Sequence, residues 1–199
     1  MIPAIVLAAG QSSRMGRAKA TLRLPSGHTF ISYIVENLAG ARLAPIIVVG
    51  SPDNRDALNA TLVEQTTAAT VVVNRDTARG QLSSVRRGLE EVVGMPAALL
   101  TLVDVPLVKR ETIEALVQTW MQTHAPLVRP ARAGRHGHPI VVSRGVIDAL
   151  LAAPDAKTTR EVLEPWLVQE IALEVSDEGP FVDVDTPGEY ARLLQGWQP

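Results

Sequence analysis

Ile2-Pro3-Ala4-Ile5-Val6-Leu7 runs straight into Ala8-Ala9-Gly10-Gln11-Ser12-Ser13-Arg14-Met15-Gly16-Arg17-Ala18-Lys19, and the reading of this opening decides the fold. An apolar run of strand length ends in a loop of small residues that carries cations. Alanine and glycine let the backbone approach a ligand closely, and Gly10 and Gly16 permit dihedrals that other residues avoid. Such a loop brings several N–H groups near one polyanion, with Arg14 and Lys19 adding charge. The combination predicts a nucleoside triphosphate as ligand.

Working outward, apolar runs of strand length alternate with segments of helical pattern. Strands are expected at 2–7, 45–49, 70–73 and 97–103, with helices at 30–38, 56–65 and 82–93 between them. This repeated strand–helix–strand order predicts an α/β protein: a three-layer, doubly wound, mostly parallel sheet of Rossmann-like type, with right-handed crossovers. In open sheets of this kind ligands bind outside the carboxyl ends of the strands. Three segments follow such ends and are expected to converge: Ala8–Lys19, Asn74–Gly80 and Asp104-Val105-Pro106. Further on, a helix is expected at 110–123, and strand-like runs at 126–130 and 139–142 bracket Arg132–His138, which reads as a loop over the site. Helices at 145–152, 159–163 and 187–195 and a strand at 170–175 complete the reading.

A chain of 199 residues is long enough for one domain with a substantial core, expected to span 1–199. Aromatic residues make up only 4%, so that core must be built from Val, Leu, Ile and Ala, as suits a buried parallel sheet. The formal net charge of -2 excludes a whole-molecule positive field for nucleic acid or an acidic membrane, so any anion site is local. With no cysteine there are neither disulfides nor thiolate metal sites. The opening apolar run is too short for a secretion signal and lacks a basic flank. No later stretch approaches the ~18 apolar residues of a membrane span. A cytoplasmic protein is expected.

Two familiar phosphate loops are excluded by spacing. The Walker loop needs four residues between its glycines and then Gly-Lys-Ser/Thr, whereas five separate Gly10 from Gly16 and Lys19 lies three further on. The dinucleotide fingerprint is absent as well. Asp104 directly follows the strand-like run 97–103, and Pro106 stiffens the turn, so its carboxylate is expected at the strand's end as a ligand for magnesium. A capping role for the following helix is the competing reading. In Val182-Asp183-Val184-Asp185-Thr186-Pro187, alternation puts Asp183 and Asp185 on one side of an extended segment, and either qualifies as a second ligand. Asp185 is the first choice, with capping of the helix at Pro187 its competitor. Gly80 allows a close turn, while Ser83 and Ser84 offer hydroxyls suited to a pyrimidine edge or to a helix cap. Arg132–His138 is rich in cations and imidazoles, which suits a phosphate ligand, with a solvated basic loop an equal reading for Arg132 and Arg135; His138 is favoured there, with Gly137 and Arg135 beside it.

Leu7 to Lys19 fills every fixed position of LAAGxSxRMGxxK, the signature of the MobA-like nucleotidyltransferases, and the chain resembles that family over nearly its whole length. Within it, Ala9 and the lack of an extra residue before Lys19 resemble the molybdenum cofactor cytidylyltransferases, since the guanylyl relatives usually read LAGG. The resemblance implies the GT-A type fold of nucleotide-diphospho-sugar transferases, with a nucleotide-binding part at about 1–106 and an acceptor-binding part at about 107–199. It implies Mg²⁺-dependent transfer of CMP from CTP to the phosphate of molybdenum-bound molybdopterin, with Mn²⁺ as an alternative ion. Arg14, Lys19 and Asp104 are then catalytic, and Leu7, Ala8, Ala9, Gly10, Arg14, Lys19, Gly80, Ser83 and Ser84 bind the nucleotide. Asp104-Val105-Pro106 fits the family's DxP, and Asp183 to Pro187 its DxDTP, which supplies the second acidic group. Gly80 to Gly88 resembles GxxSSxxxG, the segment toward base and ribose, and Gly137-His138-Pro139 resembles GHP, assigned to the acceptor side. The chain departs from the family's GDxGAR-like stretch at Pro154 to Arg160. Rival readings are the same chemistry on a sugar, polyol or phospholactate acceptor, and a chaperone that carries a matured cofactor to a molybdenum hydroxylase.

Overall fold

The computed structural model describes residues 1–10, 15–16, 18–64 and 68–197. Its centre is a sheet of eight strands in the order β3-β2-β1-β4-β7-β5-β6, with β8 pairing on the other side of β5. The strands are β1 (Ala4–Leu7), β2 (Ile46–Gly50), β3 (Thr70–Val73), β4 (Ala97–Leu102), β5 (Leu127–Arg132), β6 (Arg135–His136), β7 (Ile140–Ser143) and β8 (Ile171–Glu174). β1 pairs in parallel with β2 and β4, and β2 with β3, so the chain winds outward from β1 and then crosses back to place β4 on its other side. That reversal opens a crevice between the carboxyl ends of β1 and β4, where open α/β sheets take their ligands.

Alternation along each strand explains the three layers. Ala4, Val6, Val48 and Leu99 face one side, under α1 (Phe30–Gly40), α2 (Arg55–Glu64), α4 (Arg110–Thr123) and α7 (Pro187–Gly196). Ile5, Leu7, Val49 and Leu100 face the other, under α3 (Gln81–Leu89), α5 (Arg144–Ala152) and α6 (Thr159–Leu163). Phe30, Ile31, Leu38 and Leu116 are fully buried in the first cluster, and Leu89, Ile147 and Leu150 in the second. Residues buried on both faces account for the near-continuous apolar strands of the sequence. Thr29 starts α1 with a capping box in which its hydroxyl accepts from Ser32 N–H.

The expected elements are present with boundaries shifted by a residue or two, except that the helix read at 82–93 ends at Leu89 and gives way to a 3-10 turn at Glu90–Val92; 70–73, 110–123 and 159–163 match as read. The expected loop at Arg132–His138 is instead a β-hairpin. Arg132 pairs with Arg135 and Ala131 with His136, and the turn residues Ala133 and Gly134 both have positive φ, at 48° and 77°. Two positive φ values match the twist of the flanking strands, but Ala-Gly lacks the Asn-Gly or Asp-Gly lettering that announces such a turn.

Past the hairpin, β7 rejoins β5 at Val128↔Val141, after three residues on β5 from the Ala131↔His136 pair but five on the returning chain. The two extra residues bulge at Gly137–Pro139, where ladder bonds give way to Gly137 N–H donating to Pro130 O and His138 N–H to Pro180 O, each 3.1 Å. Bulges of this kind re-aim side chains beside functional sites. Gly137 is required there, because an added Cβ would overlap the carbonyl of Pro180.

Candidate functional site

Lys19 begins a short 3-10 turn, Lys19–Thr21. Its ammonium lies 3.0 Å from Asp104 Oδ2 and also bonds Asp185 Oδ1, so residues from the start, middle and end of the chain meet at one point. The Lys19 side chain is 11% exposed. Burial works against its charge, but hydrogen bonds and attraction from Asp185 and Asp104 outweigh it and hold the ammonium above its ordinary pKa.

Local structure explains why these carboxylates face the crevice. Val184 is fully buried, and its N–H donates to Asp104 O at 2.8 Å, which ties the extended segment before α7 to the end of β4. With Val184 turned inward, Asp183 and Asp185 both turn away from the core, as the alternation requires. Neither Asp104 nor Asp185 serves as a helix cap. Thr186 caps α7: its hydroxyl accepts from Glu189 N–H, and Glu189 Oε2 accepts from the N–H groups of Asp185 and Thr186, 2.8 Å each. At α4 the task falls to Asp177, whose Oδ2 accepts from Lys109 N–H at 2.9 Å and from Thr112 hydroxyl at 2.7 Å. Asp183 is exposed; desolvation, with repulsion from Asp104 and Asp185, raises its pKa.

Asp104 Oδ1 is buried and has no hydrogen-bond partner among the described residues. A buried carboxylate oxygen left unpaired is costly, and a hard divalent cation is a partner that would satisfy it. The donor set fits: Asp104 and Asp185 offer oxygen ligands, and a magnesium site completed by substrate phosphates and water needs only one or two protein carboxylates. No cluster of three or more His, Cys, Asp or Glu suited to a metal occurs among the described residues.

Two cavities adjoin this point. The first, about 320 Å³, is lined by Leu7, Ala9, Gly10, Lys19, Thr77, Gly80, Gln81, Ser84 and Asp104 among others. The second, about 410 Å³, lies over β4, β5 and β7 and is lined by aliphatic side chains with Arg129, His136, Gly137, His138, Thr159 and Arg160. Leu7 and Leu102, register partners on β1 and β4, line both, as does Gln81 at the start of α3. They form the ridge between the two.

Most residues singled out from sequence gather here. Ala8 is buried at the end of β1, and its carbonyl accepts from Asn54 Nδ2 at 2.7 Å; Asn54 Oδ1 accepts in turn from Ser51 N–H at 2.8 Å. Gly80, at φ 81°, turns the chain into α3. Ser84 lines the first cavity, whereas Ser83 is turned toward a separate groove, donating to Gly80 O at 2.8 Å and accepting from Asn74 Nδ2 at 2.8 Å. Arg135 stands apart from the second cavity: it donates to Phe181 O at 2.7 Å and stacks over the Phe181 ring. Asp155 pairs with Arg79 and Arg86 and so ties the start of α3 to the turn before α6. Arg14 lies outside the described residues. Sequence reasoning missed Asn54, Asp177 and the Arg129–Glu170 ion pair; none sits in a signature, and each acts through a partner far along the chain.

His138 is half-buried beside β4. Desolvation lowers its pKa, with Arg129 adding to the effect and Asp104 and a hydrogen bond to the Leu100 backbone opposing it, so the ring stays neutral near neutrality. Its Nδ1 is buried and unpartnered among the described residues. No helix among the described residues is long and apolar enough to cross a membrane.

An open α/β sheet with a cation and two carboxylates at its switch-point crevice, flanked by a polar and an aliphatic cavity, is the architecture of a nucleotidyltransferase. The chain belongs to the MobA-like NTP transferase family, whose domain matches residues 4–172. It is 32% identical over 200 residues, covering 96% of this chain and 93% of the other, to a probable molybdenum cofactor guanylyltransferase of Mycobacterium tuberculosis. A nucleotidyl transferase from Methanothermobacter shares the fold at TM-score 0.79 and 23% identity, covering 98% and 96% of the two chains. A Mycobacterium tuberculosis protein solved in complex with manganese shares it at TM-score 0.72 and 24% identity, covering 98% and 99%.

Proposed function

We propose that this nucleotidyltransferase moves CMP from CTP to the phosphate of molybdenum-bound molybdopterin, releasing pyrophosphate. The observation that carries the transfer chemistry is the meeting of Lys19, Asp104 and Asp185 beside the ridge between two cavities, where a triphosphate on one side and an acceptor on the other would share one charged point. The first cavity would take the nucleotide, with Gly80 and Ser84 toward the base and ribose. Ala9 supports the pyrimidine, because its methyl narrows a cavity in which the guanylyl relatives usually carry glycine.

An oxygen of the acceptor phosphate attacks the α-phosphorus; the new P–O bond forms as the bond to the β-phosphate oxygen breaks, and its electron pair leaves with pyrophosphate. A phosphate is already ionised near neutrality, so no general base is needed. Lys19 neutralises charge developing at the α-phosphate and leaving group, Arg14 grips the outer phosphates, and the Ala8–Gly10 backbone orients them. Asp104 and Asp185 would hold Mg²⁺ or Mn²⁺, with Asp183 the alternative ligand. When bound, that ion supplies charge neutralisation to the triphosphate. Gly137 and His138 line the acceptor side, and a molybdenum hydroxylase apoenzyme would receive the product.

A second reading, GTP as donor, is favoured by the guanylyltransferase name of the mycobacterial relative. Pyrophosphate release measured with CTP, GTP and ATP, each with and without molybdenum-bound molybdopterin, separates the readings. Release is expected with CTP and the pterin together. Preference for GTP would replace the cytidylyl reading, release with a sugar, polyol or phospholactate acceptor would replace the pterin, and cofactor binding without release would leave a carrier.

A further inference from the structure

The wall of the second cavity has an uneven distribution of polar atoms. Leu100, Leu127, Ile140 and Leu163 make most of it aliphatic. Of the two arginines that line the cavity, Arg160 is exposed, whereas Arg129 is neutralised by Glu170 through two contacts, Nε to Oε2 at 2.7 Å and Nη2 donating to Oε1 at 2.8 Å. Against this background two side chains that line the cavity carry a buried polar atom with no partner among the described residues: His138 through Nδ1 and Thr159 through Oγ1. Native proteins pair nearly all such atoms, and those left over call for a ligand or an ordered water. The unpartnered Nδ1 of the imidazole accepts or donates one hydrogen bond, according to tautomer. Thr159 differs in kind, since a hydroxyl both donates and accepts.

Thr159 opens α6, but the capping there is done by its neighbour. Thr158 hydroxyl accepts from Glu161 N–H at 3.2 Å, while Glu161 Oε2 accepts from the N–H and hydroxyl of Thr158. The helix start therefore does not need Thr159 Oγ1.

We propose that Thr159 is a specificity-determining residue for the acceptor: its hydroxyl and His138 Nδ1 read the polar edge of a flat, uncharged nitrogen heterocycle held between aliphatic walls. This rests on the reading of the second cavity as the acceptor side. A volume of about 410 Å³ suits a bicyclic ring with its substituent. Two unpartnered buried polar atoms beside aliphatic neighbours match the edge of a heterocycle better than a sugar or polyol, many of whose hydroxyls would face those aliphatic walls unpaired.

The test titrates the full chain with 6-hydroxymethylpterin, followed by the pterin's own fluorescence, with and without CTP, in wild type, Thr159→Val and Thr159→Ser. Valine keeps the shape and removes the hydroxyl; serine restores it. The expected result is pterin binding weakened about tenfold or more by valine and rescued by serine to within about threefold, with CTP affinity unchanged in both. In turnover, valine is expected to raise the acceptor KM with kcat nearly kept. Equal pterin affinity in wild type and Thr159→Val, or no saturable pterin binding by wild type, overturns the proposal. Hydroxyl-dependent pterin binding without pyrophosphate release would sustain Thr159's role while removing the transfer reading. Normal transfer with an unchanged acceptor KM in the valine variant would do the reverse.

Discussion

The two cavities share a ridge but are built on opposite principles. The first lies at the ends of parallel strands, where Lys19, Asp104 and Asp185 concentrate charge and Ala9, Gly10 and Gly80 let the backbone come close. The second lies over the antiparallel side of the sheet, where β4, β7 and β5 present aliphatic side chains and the Gly137–Pro139 bulge turns a neutral imidazole inward. Parallel strand ends offer loops that can be basic, acidic or small without disturbing the core. An antiparallel face offers shape and a few polar atoms. On the proposed reading electrostatics serve one substrate and fit the other, and the change of strand direction at β4 is what puts the two cavities side by side.

That contrast is broken most severely at the charged point. Asp104→Asn is expected to lower turnover on the order of a thousandfold, leaving the melting temperature near that of wild type and removing the dependence of rate on Mg²⁺ concentration. Retained metal dependence would take Asp104 out of the ligand set. Lys19→Ala should cost on the order of 3 kcal/mol of transition-state stabilisation, about a hundredfold in kcat, measured by pyrophosphate release. Near-normal kcat would reject its role.

On the aliphatic side the expected effects are smaller and of another kind. Gly137→Ala pushes a methyl into the carbonyl of Pro180 and is expected to cost about 1–3 kcal/mol in denaturant unfolding. It should raise the acceptor KM while nucleotide affinity holds. A matching loss of nucleotide affinity would show that the two cavities do not act separately. The smallest effect is in pH. Burial lowers the His138 pKa below the ordinary value of 6.5, so the folded state binds fewer protons than the unfolded one. The stability this group contributes is fully present above about pH 6.5 and declines as pH falls below it. His138→Gln should flatten that part of the stability-versus-pH curve, and an unchanged slope in unfolding titrations would remove His138 from the account.

Legibility in the sequence follows the range of the interactions. The opening strand, the 110–123 helix and the alternation around Val184 are local, governed by residues a few positions apart, and they read correctly. The hairpin at Arg132–His136 was hidden because Ala133 and Gly134 reach positive φ without the usual lettering. The capping competitors of Asp104 and Asp185 were undecidable from sequence. Asp177 lies 68 residues from the Lys109 N–H it accepts, and only the folded chain shows that it, with Thr186 at α7, takes those tasks. Ser83 and Ser84 are adjacent in sequence and yet serve different surfaces, because one helix position apart is about a hundred degrees around the axis.

By itself the sequence determined the winding of the sheet, its apolar strands and the small-residue loop at its first strand end, because periodicity and backbone freedom are properties of neighbouring residues. The sequence led to the expectation that the Ala8–Lys19 and Asp104 segments converge, but only tertiary structure decided that the Lys19 ammonium bonds both Asp104 and Asp185, across separations of 85 and 166 residues, and that an aliphatic cavity with two unpaired polar atoms opens beside them. The physical reason is that burial, desolvation and the pairing of charges depend on which surfaces the packed helices and sheet bring together, and no local pattern encodes that.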